Sequence, residues 1–103
     1  MKKVWDINDP DDRAAGIATS AGFYHDQFPR LTRDDRVRLG RAIEQIFYGD
    51  QPTGPEEHLY LIKTYFWQAL PYGPNALTAP QLEALRERAI KMCGLKIEAV
   101  TRR

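Results

Sequence analysis

Four stretches of the chain repeat apolar residues at helical spacing, and prolines and glycines separate them. The first begins at Asp9, where an Asp cap, a proline at the first helical position and further acids favour a helix start. We predict that this helix runs to about Phe28, because Pro29 disfavours continuation. Its apolar stripe consists of Ala14, Ile17, Ala18, Ala21, Tyr24 and Phe28. The small members of this face, Ala14, Ala18 and Ala21 with Gly22 beside them, would let another helix approach closely.

The second helix is predicted between Thr32 and Gly49. Thr32 is a good cap, acids follow in the first turn, and Gly49 stands where a glycine commonly ends a helix. Its apolar face is formed by Leu39, Ile43, Ile46 and Phe47. Residues 49–55 have the composition of a loop.

The third helix is predicted from Pro55 to a point before Pro71. One stripe contains Leu59, Ile62, Phe66 and Ala69, but further apolar residues make the segment apolar nearly all round. Such a helix is usually central and buried. The rival interpretation is a strand from His58 to Trp67, which is rich in sheet-forming residues. The length of the segment and its helix-start signals favour the helix.

The fourth helix carries the most specific local signal, a Thr78–Gln81 capping box. Leu77 and Leu82 occupy the two positions of a hydrophobic staple. Gly94 is placed to end the helix in a left-handed turn. The predicted core-facing residues are Leu82, Leu85, Ala89, Met92 and Cys93.

These elements predict an all-α fold, a compact bundle of about four helices in a single domain spanning residues 1–103. Residues 95–99 alternate like a short strand, and residues 4–7 do so more weakly. The two ends either pair as strands or the C-terminal piece forms another helical turn, and the pattern does not decide between them. We expect the ends, 1–8 and 96–103, to be extended or frayed.

Composition narrows the function classes. Lys plus Arg number 15 and Asp plus Glu 14, so no global field draws the protein to nucleic acid or an anionic membrane. The first residues begin like a signal peptide, but no apolar run follows them. No apolar stretch approaches the roughly 20 residues needed to span a bilayer. We therefore predict a cytoplasmic protein without a membrane partner.

Candidate chemistry is sparse. The glycines are scattered and build no phosphate-binding loop, and neither His25 nor His58 has a partner at the spacing of a helical metal clip. Cys93 is the single cysteine and lies on an apolar stripe, so we favour a core residue over a thiolate paired with His58. We predict no metal, no cofactor and no enzymatic activity. A small enzyme using His58 or Cys93 is the third-ranked hypothesis.

Basic residues suggest an alternative function. Arginines around the second helix are interspersed with acids, which is typical of a solvated face. The C-terminal set has fewer acids and predicts a small DNA- or RNA-binding regulator: Arg86, Arg88, Lys91, Arg102 and Arg103, with Lys96 between them. The loop at 71–77 is too long for the familiar helix-turn-helix motif.

The leading hypothesis uses aromatic residues of the third helix. If that helix buries its stripe, Tyr60, Lys63 and Trp67 project from its other side, and Tyr72 extends the patch. Tyrosine and tryptophan dominate binding hot spots. The rival interpretation is that both sides of a central helix are covered and these residues are core. We predict a protein that sterically occupies a larger partner, such as a nucleic-acid-processing complex, with a homodimer as the other explanation. A chain of this size without a catalytic constellation is typical of phage and mobile-element accessory or inhibitor proteins, including anti-CRISPR proteins.

Overall fold

The described part of the chain contains four α-helices, and the first two cross at close range. The computed structural model describes residues 6–67 and 73–102 of the chain. Its helices are α1 (Pro10–Ser20), α2 (Arg33–Tyr48), α3 (Pro55–Leu61) and α4 (Ala79–Cys93), with a π-helical segment at Ile62–Phe66 and a 3-10 turn at Gly73–Asn75. Of the described residues, 62% are helical and none is in a strand, so the predicted all-α class is confirmed.

Local side-chain signals set the helix starts at the predicted positions. The Asp9 side chain accepts a hydrogen bond from a first-turn amide of α1, and α3 begins at Pro55. Capping boxes at Thr32–Asp35 and Thr78–Gln81 open α2 and α4. Each box satisfies amides that have no partner within the helix. These starts were predictable because they depend only on residues three apart.

The first helix ends at Ser20, so its predicted extension to about Phe28 is wrong. Gly22 adopts a φ of +111°, which favours glycine, and the Phe23 N–H donates to the Ala18 carbonyl at 3.1 Å. This is a Schellman motif, which ends a helix and turns the chain. Residues 21–31 then form a loop that contributes four buried side chains: Ala21, Phe23, Phe28 and Leu31.

One arginine of α2 holds this loop against the core. Arg36 is only 3% exposed and donates to three main-chain carbonyl oxygens: Leu31 from Nη1 at 2.6 Å, Phe23 from Nε at 3.2 Å and Phe28 from Nη2 at 3.2 Å. Buried carbonyls need such donors because water cannot reach them. Arg36 therefore faces the interior and does not belong to the solvated outer face of α2.

Small residues let α1 and α2 approach closely, as the sequence predicted for α1. Ala14, Ala18 and Ala21 are all fully buried. On the other side of the crossing, Gly40 of α2 lies against the main chain of Ala14 and leaves no room for a Cβ atom. The largest fully buried side chains around this crossing are Phe23, Ile17, Leu39, Ile43 and Leu61.

The third helix differs from its prediction in length and in buried face. It continues as a π-helix to Phe66, after which Trp67 is extended, and Leu59 is 42% exposed rather than buried. His58, Leu61 and Phe66 are buried instead. The i→i+5 bonding of a π-helix brings Leu61 and Phe66, which are five residues apart, to the same face. Ala69, predicted in the stripe, lies outside the described residues.

The fourth helix covers the core with most of its predicted face. Leu85 and Ala89 are buried, and Leu82 and Cys93 pack against the core. Met92 is 46% exposed, so its predicted burial is wrong. Cys93 follows Ala89 by four residues and therefore lies on the same side of α4, against the core, as predicted.

The segment after α4 settles the choice between strand and helical turn for the described residues. The Ala99 N–H donates to the Lys96 carbonyl at 3.0 Å, and the Val100 N–H donates to the Ile97 carbonyl at 3.2 Å. These bonds close successive four-residue β-turns, and no strand pair forms between the described parts of the two ends, residues 6–8 and 96–102. Residues 1–5 and 103 lie outside the described residues.

Candidate functional site

Three of the predicted partner contacts lie on the solvent side of α3 and its π-helical extension. Tyr60 is 54% exposed, Trp67 is 45% exposed, and Lys63 is exposed between them. Leu59, which was predicted to face the core, is a third large apolar side chain of this segment that is exposed, by 42%, and it precedes Tyr60 directly. We call Leu59, Tyr60, Lys63 and Trp67 the aromatic face. Tyr72, the fourth predicted contact, lies outside the described residues.

The opposite side of this segment is anchored firmly in the core. The Phe47 ring of α2 lies 4.7 Å from the Tyr65 ring and 6.0 Å from the Phe66 ring, measured between centroids. Aromatic pairs at these separations are attractive beyond their buried area. Leu61 is fully buried beside them. The aromatic face is therefore carried by a segment whose orientation is set by packing.

A cavity of about 360 Å³ adjoins the aromatic face and is lined by Tyr48, Glu56, Glu57 and Tyr60. We call it the acidic notch. The Tyr48 hydroxyl donates to the main-chain carbonyl of Glu57 at 3.0 Å. Burial, followed by the charge of Glu57 and the neighbouring Tyr60, raises the pKa of Tyr48. The notch thus combines aromatic rings with a negative potential, which suits a positively charged group.

His58, a candidate for catalysis in the third-ranked hypothesis, is buried at the start of α3. Burial lowers its pKa, and the positive charge of Arg13 lowers it further, although a hydrogen bond with the Arg13 main chain acts in the opposite direction. Arg13 itself donates to the carbonyl oxygens of Ile7 at 2.8 Å and Thr53 at 3.2 Å. His58 therefore lies in a structural cluster that joins α1, α3 and the loop before α3.

Cys93 has the electrostatics of a core thiol. Burial raises its pKa, and the positive charge of Arg38 only partly opposes this effect. A nucleophilic cysteine needs the opposite shift, because the thiolate is the reactive form. Among the described residues, no group of three or more His, Cys, Asp and Glu side chains is arranged to hold a metal ion.

The C-terminal basic set does not form one uniform surface. Arg86 is half-buried and donates from Nη1 to the Ala21 carbonyl at 3.1 Å, and Arg102 lies over the Phe28 ring at 5.4 Å. Burial, followed by the charge of Arg102, lowers the pKa of Arg86. Arg88 and Lys91 are exposed. Arg103 lies outside the described residues.

The exposed arginines of α2 also have structural partners. Arg33 pairs with Asp12 and Arg41 pairs with Asp11, so both ion pairs reach across to the first turn of α1. Arg38 donates to the carbonyl of Cys93 at the end of α4. The acids interspersed with these arginines in the sequence belong to α2, whereas the acids that pair with Arg33 and Arg41 belong to α1.

Neither the acidic notch nor the exposure of Leu59 beside Tyr60 was predicted from the sequence. A signal for the notch was present, since the short loop at 49–54 necessarily brings the end of α2, with Tyr48, close to the acids that open α3. The exposure of Leu59 had no local signal because the segment is apolar nearly all round.

The chain was compared with known protein families, curated proteins and solved structures. No protein-family model, curated protein or solved structure matches the chain. No helix in the described part of the chain has the length and apolar character required to cross a membrane. The fold and surface together define a small all-α protein that presents an aromatic face beside an acidic notch.

Proposed function

We propose that this chain is a non-enzymatic binding protein that docks onto a larger protein through the aromatic face. The observation that carries the proposal is the exposure of Leu59, Tyr60 and Trp67, each between 42% and 54%, on one short segment. Scattered single apolar residues need no explanation, but a contiguous group marks a binding surface. Such a group buries its area in a partner.

The residue types fit the energetics of a docking surface. Tyrosine and tryptophan bury much area, lose little conformational entropy and are enriched among hot spots. Lys63 lies between them and contributes an apolar stem with a polar end. π-Helical segments also occur frequently at functional sites. These features support binding as the reason why these side chains remain exposed.

The acidic notch indicates the charge of the partner. Because Glu56, Glu57 and two tyrosines line the notch next to the aromatic face, the matching surface carries an apolar centre flanked by a lysine or arginine. Proteins that handle nucleic acids commonly expose such basic residues. A nucleic-acid-processing complex is therefore the first partner to test.

We further propose a biological setting for this binding activity. The size of the chain is typical of phage and mobile-element inhibitors such as anti-CRISPR proteins, which act sterically on a larger complex. We place this activity in the cytoplasm, where such complexes work. The first alternative function is self-association, in which the aromatic face binds a second copy of the chain. The second alternative is nucleic-acid binding through the exposed basic residues Arg88 and Lys91.

The test is an affinity capture from nuclease-treated lysate of the host cell. Wild type is compared with Tyr60→Ala/Trp67→Ala, and the folding of both is checked by circular dichroism. The matched control is Met92→Ala/Ile97→Ala, which removes two apolar side chains exposed by 46% and 78% on another surface. We expect one protein to be captured by wild type and by the control, and to be lost from the aromatic-face variant.

Other outcomes assign the function differently. Equal capture of the partner by all three proteins would show that the aromatic face is not the binding surface. Capture of nucleic acid only when nuclease is omitted, with steep loss as salt rises, would assign the function to the exposed basic residues. Concentration-dependent dimerisation of wild type, lost in the aromatic-face variant, would make a second copy of the chain the partner.

A further inference from the structure

A separate hollow of about 560 Å³ lies between α1, the 21–31 loop, the start of α2 and the π-helical segment. We call it the α1–π groove. Its volume lies within the usual range of small-molecule sites. One part of its lining is apolar and comes from Ala15, Gly16, Leu31 and Ile62. The hollow does not include the aromatic face or the acidic notch.

The positive charge at this groove is the feature that points to a ligand. Arg36 lines the groove and is almost completely buried, yet its partners are three carbonyl oxygens. The nearby Asp35 carboxylate opposes the effect of burial on the pKa of Arg36, but it accepts a hydrogen bond from the Thr32 N–H, and no ion pair joins it to Arg36 among the described residues. A buried guanidinium is usually matched by an anion, because burying an uncompensated charge is costly. Carbonyl dipoles offset this cost only in part.

The rim adds a second guanidinium. Arg33 lines the groove and is 56% exposed, and one of its five donors is bonded to Asp12. Asp12 also accepts a hydrogen bond from the Asp6 N–H, so both of its carboxylate oxygens have partners within the protein. With both histidines counted as neutral, two arginines and one aspartate give the lining a formal charge of +1.

A hydroxyl group adds a neutral donor to the site. Thr19 and Ser20 line the same hollow at the end of α1, but the Thr19 hydroxyl donates its single proton to the Ala15 carbonyl at 3.0 Å, so Ser20 is the hydroxyl that can donate to a ligand. Hydroxyls and guanidinium groups are common donors to carboxylates and phosphates. The apolar wall opposite them suits a hydrocarbon or aromatic body.

We propose that the α1–π groove binds a small organic anion, with its carboxylate or phosphate group toward Arg33 and Arg36 and its apolar body against Ala15, Gly16 and Ile62. This inference is independent of the docking function proposed above. It assigns the chain a second site whose ligand is a metabolite-sized acid.

The test is an NMR titration of the full chain, followed through its backbone amides. The probes are phenyl phosphate, benzoate, inorganic phosphate and benzyl alcohol, which separate the anionic group from the apolar body. We expect saturable shifts at Ala15, Gly16 and Thr19 with an anionic aromatic probe and weaker binding of inorganic phosphate and benzyl alcohol. Binding of phenyl phosphate alone would identify a phosphate ester, and binding of benzoate as well would identify a general anion site.

Variants locate the site. Arg33→Gln should weaken binding about tenfold, since it removes a charged donor at the rim. Arg30→Gln, an exposed arginine of the same loop region outside the groove, should leave the affinity unchanged. Ala15→Leu fills the groove and should abolish binding in a chain that still folds. Equal affinity for benzyl alcohol and phenyl phosphate, shifts that do not saturate, or equal effects of the two arginine variants would overturn the proposal.

Discussion

Gly40 of α2 lies directly against the main chain of Ala14 in α1. A Cβ atom at position 40 would overlap the carbonyl group of Ala14. The two helices therefore approach as closely as their backbones allow. Main-chain atoms cannot move aside by a change of rotamer.

We predict that Gly40→Ala destabilises the protein severely, although alanine is the better helix former. The gain in helix propensity is about 1 kcal/mol, and the overlap with Ala14 should cost about 3 kcal/mol or more. Urea unfolding followed by circular dichroism measures the difference. Gly49→Ala is the control, because Gly49 has a φ of +66° but open space around it, and it should cost only about 1 kcal/mol. Equal losses in both variants would contradict the close crossing.

Arg36 is predicted to be a structural residue. Arg36→Met keeps much of the side-chain volume but leaves the carbonyls of Phe23, Phe28 and Leu31 without their donor, so it should reduce the free energy of unfolding by about 3 kcal/mol or more. Arg30→Met is the matched control at an exposed arginine and should change it by less than about 0.5 kcal/mol. Denaturant titrations of both variants decide the point. A small effect of Arg36→Met would show that the loop does not depend on it.

The buried His58 predicts how stability depends on pH. Because its pKa is lowered in the folded state, the unfolded chain takes up a proton first, as pH falls through the ordinary histidine value of about 6.5. Stability is therefore lost as pH falls from 7.5 toward 5.5, with a slope of at most about 1.4 kcal/mol per pH unit for this one group. Unfolding free energies measured across that range test the sign.

The matched variants for this effect are the two histidines. His58→Gln should remove most of the slope between pH 7.5 and 5.5, whatever it does to absolute stability. His25→Gln should keep the slope, since His25 is exposed. A slope that persists in His58→Gln, or stability that increases on acidification, would be inconsistent with a buried neutral imidazole.

Cys93 is predicted to be an unreactive thiol. Its pKa is raised by burial, so alkylation by iodoacetamide in the native protein should have a midpoint at higher pH than in the urea-unfolded chain. Rates measured from pH 7 to 10 give both midpoints. A native midpoint below the unfolded one would instead reveal an activated thiolate and revive the enzyme hypothesis.

Sequence signals predicted the features that depend on near neighbours. The capping boxes at Thr32 and Thr78 and the left-handed turn at Gly94 were all in place, because each involves residues within one helical turn. Two residues of the sequence could end the first helix, Gly22 and Pro29, and the prediction chose Pro29. A glycine can also lie inside a helix, so Gly22 is the weaker sequence signal, but it is the residue that ends α1.

Features that depend on distant parts of the chain were not predictable from the pattern. The π-helical segment rotates the buried face toward Leu61 and Phe66, and nothing in an apolar sequence marks that rotation. In the sequence, Arg36 does not differ from the neighbouring surface arginines, because its burial depends on contacts with the 21–31 loop. The groove and the notch likewise arise only where separate elements meet. The exposure of Tyr60 and Trp67 had remained open for the same reason.

The central claim is that the aromatic face binds a protein partner. The most direct measurement is isothermal titration calorimetry of the captured and purified partner with wild type, Tyr60→Ala/Trp67→Ala and Met92→Ala/Ile97→Ala. Loss of two hot-spot side chains should weaken the affinity about hundredfold or more, whereas the control should stay within about threefold of wild type. Equal affinities for all three folded proteins, or a loss confined to the control, would contradict docking through α3.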